Sequence, residues 1–192
     1  MIAIASTINE LIARGKAQNE YNNSGIRSDA QWVDFFNEAL RDLVDDLRIE
    51  KTGQISFDPA QREYDLPPDF YSLVLLNDEH GCRVFKRRYY DQRIPSGYWI
   101  FNRGDKHVID LYQYMAPMTF TFVYQAYPEP LVLANLNTQR PQVPSVGEKA
   151  LIYYAIAKAL RNNNEVGQAQ DVERLYELER AKIRNAVARG VN

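Results

Sequence analysis

Tyr64-Asp65-Leu66-Pro67-Pro68-Asp69-Phe70 is the stretch on which the fold turns. Ahead of it, Ile55 and Phe57 alternate with polar residues and Arg62 to Leu66 reads as a returning strand, both with the period of a half-buried sheet. Pro67-Pro68 cannot donate ladder hydrogen bonds, so the chain must leave the sheet at an elbow there. Phe70 to Leu76 then resumes as a buried or edge element. Further on, Tyr98-Trp99-Ile100-Phe101 and His107-Val108-Ile109-Asp110-Leu111-Tyr112 flank Asn102-Arg103-Gly104-Asp105, a hairpin signature. The run Thr119 to Gln125 puts Phe120, Phe122 and Tyr124 on one face and Thr119, Thr121 and Val123 on the other. Residues 53–127 therefore read as a small antiparallel sheet with one wet face.

Outside this block the period becomes helical, and three helix starts carry capping-box spacing: Thr7-x-x-Glu10, Ser28-x-x-Gln31 and Ser145-x-x-Glu148. The first helix is expected from Thr7 to about Lys16, followed by a polar loop over Gln18 to Gly25. In the second, Trp32, Phe35, Phe36, Ala39, Leu40, Leu43, Val44 and Leu47 fall on one face. That face covers about half the circumference at 100° per residue, wider than one packing seam requires. Either it packs against both a helix and the sheet, or part of it meets a neighbouring subunit. Leu131 to Gln142 reads as an extended polar connector, and Val143-Pro144-Ser145-Val146-Gly147-Glu148 marks the return to helix. The third helix, with Ala150 to Ala157 apolar nearly all round, is central to its domain or to an assembly, and Asn162-Asn163-Asn164 ends it. The fourth, about Gln168 to Arg189, places Val172, Leu175, Tyr176, Ile183, Ala186 and Val187 on one stripe. Glu179 projects from the middle of that stripe, either paired or exposed at its end, or as a polar inter-subunit contact.

Length and composition fit one domain, possibly in two lobes: 192 residues, 45% hydrophobic and 25% charged. A net charge of −2 gives no global field that calls for nucleic acid. The charge is uneven, however, with −4 over residues 1–50 and +2 over residues 141–192, so copies could stack acidic end to basic end. Cys82 stands alone, which excludes an internal disulfide framework. No apolar run approaches the roughly 20 residues that span a bilayer. The opening Met1-Ile2-Ala3-Ile4-Ala5-Ser6 has no basic leader. A soluble protein made in a cytosol, with no membrane partner, is expected.

Chemistry is hard to find. His80-Gly81-Cys82 with Asp78 and Glu79 superficially resembles a ligand group, but a lone imidazole and thiol in a loop do not make a metal site. No nucleophile sits in a motif with a base, and the nine glycines are scattered singly. Asp58, Asp65 and Asp69 around the elbow are the best paired carboxylates, although turns favour Asp for local backbone bonding. No catalytic, cofactor-binding or metal residue is expected. The one charge cluster with content is Arg83, Lys86, Arg87, Arg88 and Arg93, interleaved with Phe85, Tyr89 and Tyr90. It suits contact with DNA, a protein interface, or a solvated strand edge that avoids stray pairing. The 13 tyrosines suit interfaces, or a core bordering water.

In this order and at this length, the amphipathic helix Trp32–Leu47, the proline elbow, the Tyr98–Tyr112 hairpin and strand Thr119–Tyr124 resemble the head-to-tail adaptor (connector) proteins of tailed bacteriophages. Pro128-Glu129-Pro130-Leu131 and the helix pair Gly147–Arg161 and Gln168–Arg189 extend the resemblance over roughly residues 6–188. It implies an α+β fold: a four-helix-type bundle from the N- and C-terminal helices with an inserted antiparallel lobe. The expected parts are 1–52, 53–142 and 143–192. It further implies a ring, typically of twelve copies, that docks beneath the portal protein, surrounds packaged DNA and offers a platform to the next tail or neck component. Family members bring no catalytic residues. In such a ring Arg83, Lys86, Arg87, Arg88 and Arg93 would face the channel or an interface, and Trp32, Phe36, Glu179, Arg180 and Arg184 a neighbouring subunit or the portal. The loop at 19–25, the connector at 131–142 and the tail to Asn192 would order on docking. The competing reading is a tail accessory or receptor-binding module with a tyrosine-rich face.

Overall fold

The elbow does what its prolines require. In a computed structural model, the strands on either side of it, β2 (Glu63–Asp65) and β3 (Phe70–Asn77), belong to different sheets. Leu66 still donates its N–H to His107 O at 2.9 Å, and Phe70 N–H closes the turn on Pro67 O at 2.9 Å. The structure describes residues 5–22, 25–26, 28–86, 96–112 and 114–190, with only the backbone of 19–22. It is mixed helix and sheet, and divides into two units, Met1–Arg48 with Pro128–Asn192, and Ile49–Tyr127.

The strand unit holds two three-stranded antiparallel sheets, where a single sheet was expected. One is ordered β1-β6-β3, with β1 at Glu50–Phe57 and β6 at Met118–Ala126; the other is β2-β5-β4, with β4 at Gly97–Arg103 and β5 at Lys106–Tyr112. The physical reason is the elbow, which hands the chain from one sheet to the other. The hairpin β4–β5 turns at Gly104-Asp105, with Gly104 at φ +64°, a conformation glycine adopts without strain. On β6 the alternation is as the sequence requires: Phe120, Phe122 and Tyr124 are buried. They share one core with Ile55 and Phe57 of β1 and Ile109 and Leu111 of β5, so the two sheets bury their inner faces together. Lys51 Nζ and Tyr124 Oη both reach the Asp69 carboxylate, at 2.8 and 3.1 Å, and tie the elbow to β1 and β6.

The helical unit contains α1 (Ile8–Asn22), α2 (Asp29–Asp42), α3 (Val44–Leu47), α4 (Glu148–Asn162) and α5 (Val166–Ala188). Two of the three capping boxes form: Glu10 N–H donates to Thr7 Oγ1 at 3.3 Å and Thr7 N–H to Glu10 Oε2 at 2.8 Å, and Ser28 and Gln31 exchange the same pair. α1 runs on through residues 18–22, which were expected as loop. The stripe on the second helix breaks at Leu43 into α2 and α3, yet stays buried except at Phe35, which is half-buried. α4 is central as its all-round apolar surface demands, packing against α1, α2 and α5. The connector at 128–142 belongs with this unit and is held by side-chain amides. Asn37 bonds both the N–H and the C=O of Leu131, at 2.7 and 3.0 Å, and Gln139 bonds Val132 N–H and Pro130 O, each at 2.9 Å. Ile8 and Asn9 at the start of α1 donate their N–H groups to Gln139 O and Leu136 O. The backbone of this segment thus finds hydrogen-bond partners within the chain.

The third capping box does not form. Ser145–Gly147 is a 3-10 turn, and Gly147 precedes α4 because a Cβ there would lie 2.3 Å from Ile183 Cγ1 of α5. Glu148 is thus freed from capping and accepts from Ser6 N–H at 2.5 Å, Ser6 Oγ at 2.9 Å and Arg14 Nη2 at 2.6 Å. Burial alone would raise its pKa, but the Ser6 and Arg14 donors outweigh it and hold the carboxyl below the usual 4.5. With the folded value below the unfolded one, this stabilisation is fully present above pH 4.5 and is lost as pH falls through the folded value. Glu148→Gln is expected to cost about 1–2 kcal/mol at neutral pH and to flatten that acid limb, measured by urea unfolding from pH 3 to 7. An unchanged acid limb would show that Glu148 does not fasten α1.

Candidate functional site

Catalytic groups do not converge anywhere in the described residues. Asp58 Oδ1 accepts from Ala60 N–H in a turn, Asp65 pairs with Lys106 at 2.6 Å, and Asp69 is held by Lys51 and Tyr124. Burial opposes ionisation of Asp69, but these two donors keep its pKa below the ordinary carboxylate value. Asp78 Oδ1 accepts from His80 and Cys82 N–H, so the loop at 78–82 spends its carboxylate on its own backbone. Among the described residues no three His, Cys, Asp or Glu side chains are placed to hold a metal, and no helix is long and apolar enough to cross a membrane.

In the helical unit the expected interface residues divide. Trp32 and Phe36 are fully buried, with ring centroids 5.7 Å apart, so neither can meet a neighbouring subunit or a portal. This corrects their assignment as contact residues, and the cause is that the stripe from Trp32 to Leu47 is buried inside the chain except at Phe35, which is half-buried. Glu179 occupies a core position of the spacing Ala169, Val172, Tyr176, Glu179, Ile183, buried at 8% exposure and bonded to Lys182 Nζ at 2.7 Å. Arg180 Nε donates to Asp46 Oδ2 and Arg184 Nε to Asp46 Oδ1, each at 2.5 Å. Arg180 also reaches Asp42 Oδ2 at 3.3 Å, and the Tyr176 hydroxyl donates to the same oxygen. Burial, then Asp42, pushes the Tyr176 phenol far above its usual value, while Asp46 outweighs burial to raise Arg180. The acidic start and basic end of the chain thus meet, in part, within one molecule.

Asp42 and Asp46 were missed as partners. Their signal was available: two carboxylates at i, i+4 before the strands, and two guanidiniums at i, i+4 in the last helix. Beside this cluster α2, α4 and α5 border an open groove of about 1060 Å³. Tyr154 of α4 and Leu178 of α5 give it apolar surface.

In the strand unit, Arg83, Phe85 and Lys86 follow β3 and are exposed, while Val84 between them is buried. Tyr98 N–H donates to Phe85 O at 3.2 Å, which lays this segment beside β4. Lys86 sits over the Trp99 ring at 5.7 Å, Arg103 over Phe101 at 5.5 Å, and Arg62 over Tyr112 at 4.7 Å. Arg87, Arg88 and Arg93 lie outside the described residues. The tyrosines mostly border water: Tyr64 bonds backbone at the Asp58–Gln61 turn, and Tyr124 keeps its ring in the core while its hydroxyl reaches Asp69.

A family model described as SU10 adaptor protein matches residues 6–192, across both units. No curated protein matches the chain.

Proposed function

The chain belongs to the SU10 adaptor protein family, a class of phage structural proteins rather than enzymes, and on that premise we propose that it forms the ring between head and tail. In this reading copies close a ring, typically of twelve, that docks beneath the portal protein, surrounds the DNA channel and presents a platform to the next tail or neck component. The helical unit is the bundle that carries the ring and portal contacts. The observation that carries the reading is the family match, which spans the strand lobe as well as the helices. Arg83 and Lys86, exposed and without a carboxylate partner of the kind that holds Arg180 among the described residues, suit a wall that DNA slides past. Such a wall must not bind tightly, so weak and salt-sensitive DNA affinity is expected. The rings of Trp99, Phe101 and Tyr112 are each covered by a cation, which disfavours an open aromatic platform for a saccharide.

Native mass spectrometry of the chain alone and mixed with the portal of the same virus tests the proposal. A closed multimer on the portal is the expected result. A monomer that ignores the portal at micromolar concentrations would overturn it.

A further inference from the structure

Resting on the ring reading, we propose how neighbouring copies engage: the groove bordered by α2, α4 and α5 receives the Val132-Leu133 loop of the next copy. Val132 and Leu133 are 45% and 48% exposed, adjacent, and carried on a loop that is fixed rather than slack. Asn37 clamps Leu131 on both sides of its peptide, and Gln139 bridges Pro130 and Val132. Two apolar side chains held out on a rigid loop lose little conformational freedom on docking, which is the economy of a preorganised contact.

The groove fits such an occupant in charge as well as in shape. Every charged residue that lines it has a counterion within the same chain. Lys158 pairs with Glu38, Arg161 with Glu173, Arg174 with Asp171, and Arg180 with Asp42 and Glu177. A charged peptide would find no free partner there, whereas Pro130 to Gln139 carries no charge at all. Leu178, 62% exposed at the groove's edge, and the half-buried Tyr154 within it offer the apolar surface that Val132 and Leu133 lack.

The loop cannot fill its own groove. Asn37 holds the loop, while Glu38 and Asp42 pair with the Lys158 and Arg180 of the groove. On a helix of 3.6 residues per turn these positions point roughly 100–140° apart. Loop and groove therefore lie on different faces of α2, and in the ring reading the contact is heterologous: each copy gives its loop to one neighbour and takes another's, and the series closes where the rotation between copies completes a circle. Two side chains fall far short of the roughly 800 Å² per partner of a stable interface. The contact forms where other surfaces already hold the copies side by side, as a template would.

Leu133→Cys with Leu178→Cys, in a Cys82→Ser background, tests the contact in the full chain assembled on the portal. Under mild oxidation a non-reducing gel is expected to show a ladder from dimer up to the ring, while each single cysteine gives no ladder beyond the dimer. Leu133→Asp, at a surface position, is expected to leave the melting temperature unchanged and to lower ring yield at least about tenfold. Rings without the ladder, with a Leu133→Asp yield equal to the parent's, would overturn the loop-in-groove contact and leave the adaptor reading standing. A crosslink from Leu178→Cys to the portal instead of to a second copy would overturn it equally. No ring from the unmodified chain overturns the adaptor reading, and this contact with it.

Discussion

Trp32→Ala is expected to destabilise the helical unit by about 3–5 kcal/mol, the largest single-residue effect anticipated in this chain. The indole is fully buried and packs against Phe36. It also lies over Gly15 of α1, where an added Cβ would stand 2.8 Å from two indole carbons. Gly15 therefore has no side chain with which to fill the space an alanine would leave, and the cavity stays open. Among the described residues the indole Nε1 has no acceptor. Trp32→Phe removes that unsatisfied donor while keeping a ring in place, so its cost is expected below about 1.5 kcal/mol. Urea unfolding of the two variants decides the matter. A near-neutral Trp32→Ala that still fails to form rings would return Trp32 to the interface and contradict its burial.

Asp46→Ala is the second large effect, at about 3 kcal/mol or somewhat more. Asp46 is 8% exposed and receives both Arg180 and Arg184. Without it Arg180, whose side chain is only 20% exposed, keeps Asp42 at 3.3 Å as its nearest acceptor and loses its strongest bond. Removing one member of a buried pair costs more than the pair contributes, because the partner charge is left with only longer contacts, here Asp42 at 3.3 Å and Glu177 at 3.6 Å. Two companion variants separate this from simple loss of packing. Arg184→Ala, at an exposed side chain, is expected to have a far smaller effect. The double change Asp46→Leu with Arg180→Met is expected to recover most of the lost stability, since it removes both charges together. Failure of the double variant to improve on Asp46→Ala would show that shape, rather than charge, governs the α3–α5 contact.

The expected lobes and helices were legible for reasons that can be named. A capping box is closed by atoms three residues apart, and those at Thr7 and Ser28 formed as written. Strand alternation is equally local, and Phe120, Phe122 and Tyr124 face the core as their spacing demands. The Ser145 box had the same spacing and did not form, because Glu148 found better donors 142 and 134 residues away, at Ser6 and Arg14. Leu131 to Gln142 read as an extended polar connector because nothing in its own composition reveals the amide of Asn37, 94 residues away. Glu179 could be marked as unusual, but not assigned between a partner within the chain and one outside it.

By itself the sequence determined where the chain changes period, where Pro67-Pro68 forbids a ladder, and which residues start α1 and α2, since each of these depends on bonds or clashes between near neighbours. It also carried the order of elements by which the adaptor family is recognised. Only the tertiary structure decided that the elbow passes the chain between two sheets, that the Trp32 and Phe36 rings are core, and that Asp46 gathers Arg180 and Arg184. Burial and ion pairing depend on which surfaces meet after the chain has folded, so the i, i+4 spacings of Asp42 with Asp46 and Arg180 with Arg184 do not by themselves say that the two pairs meet.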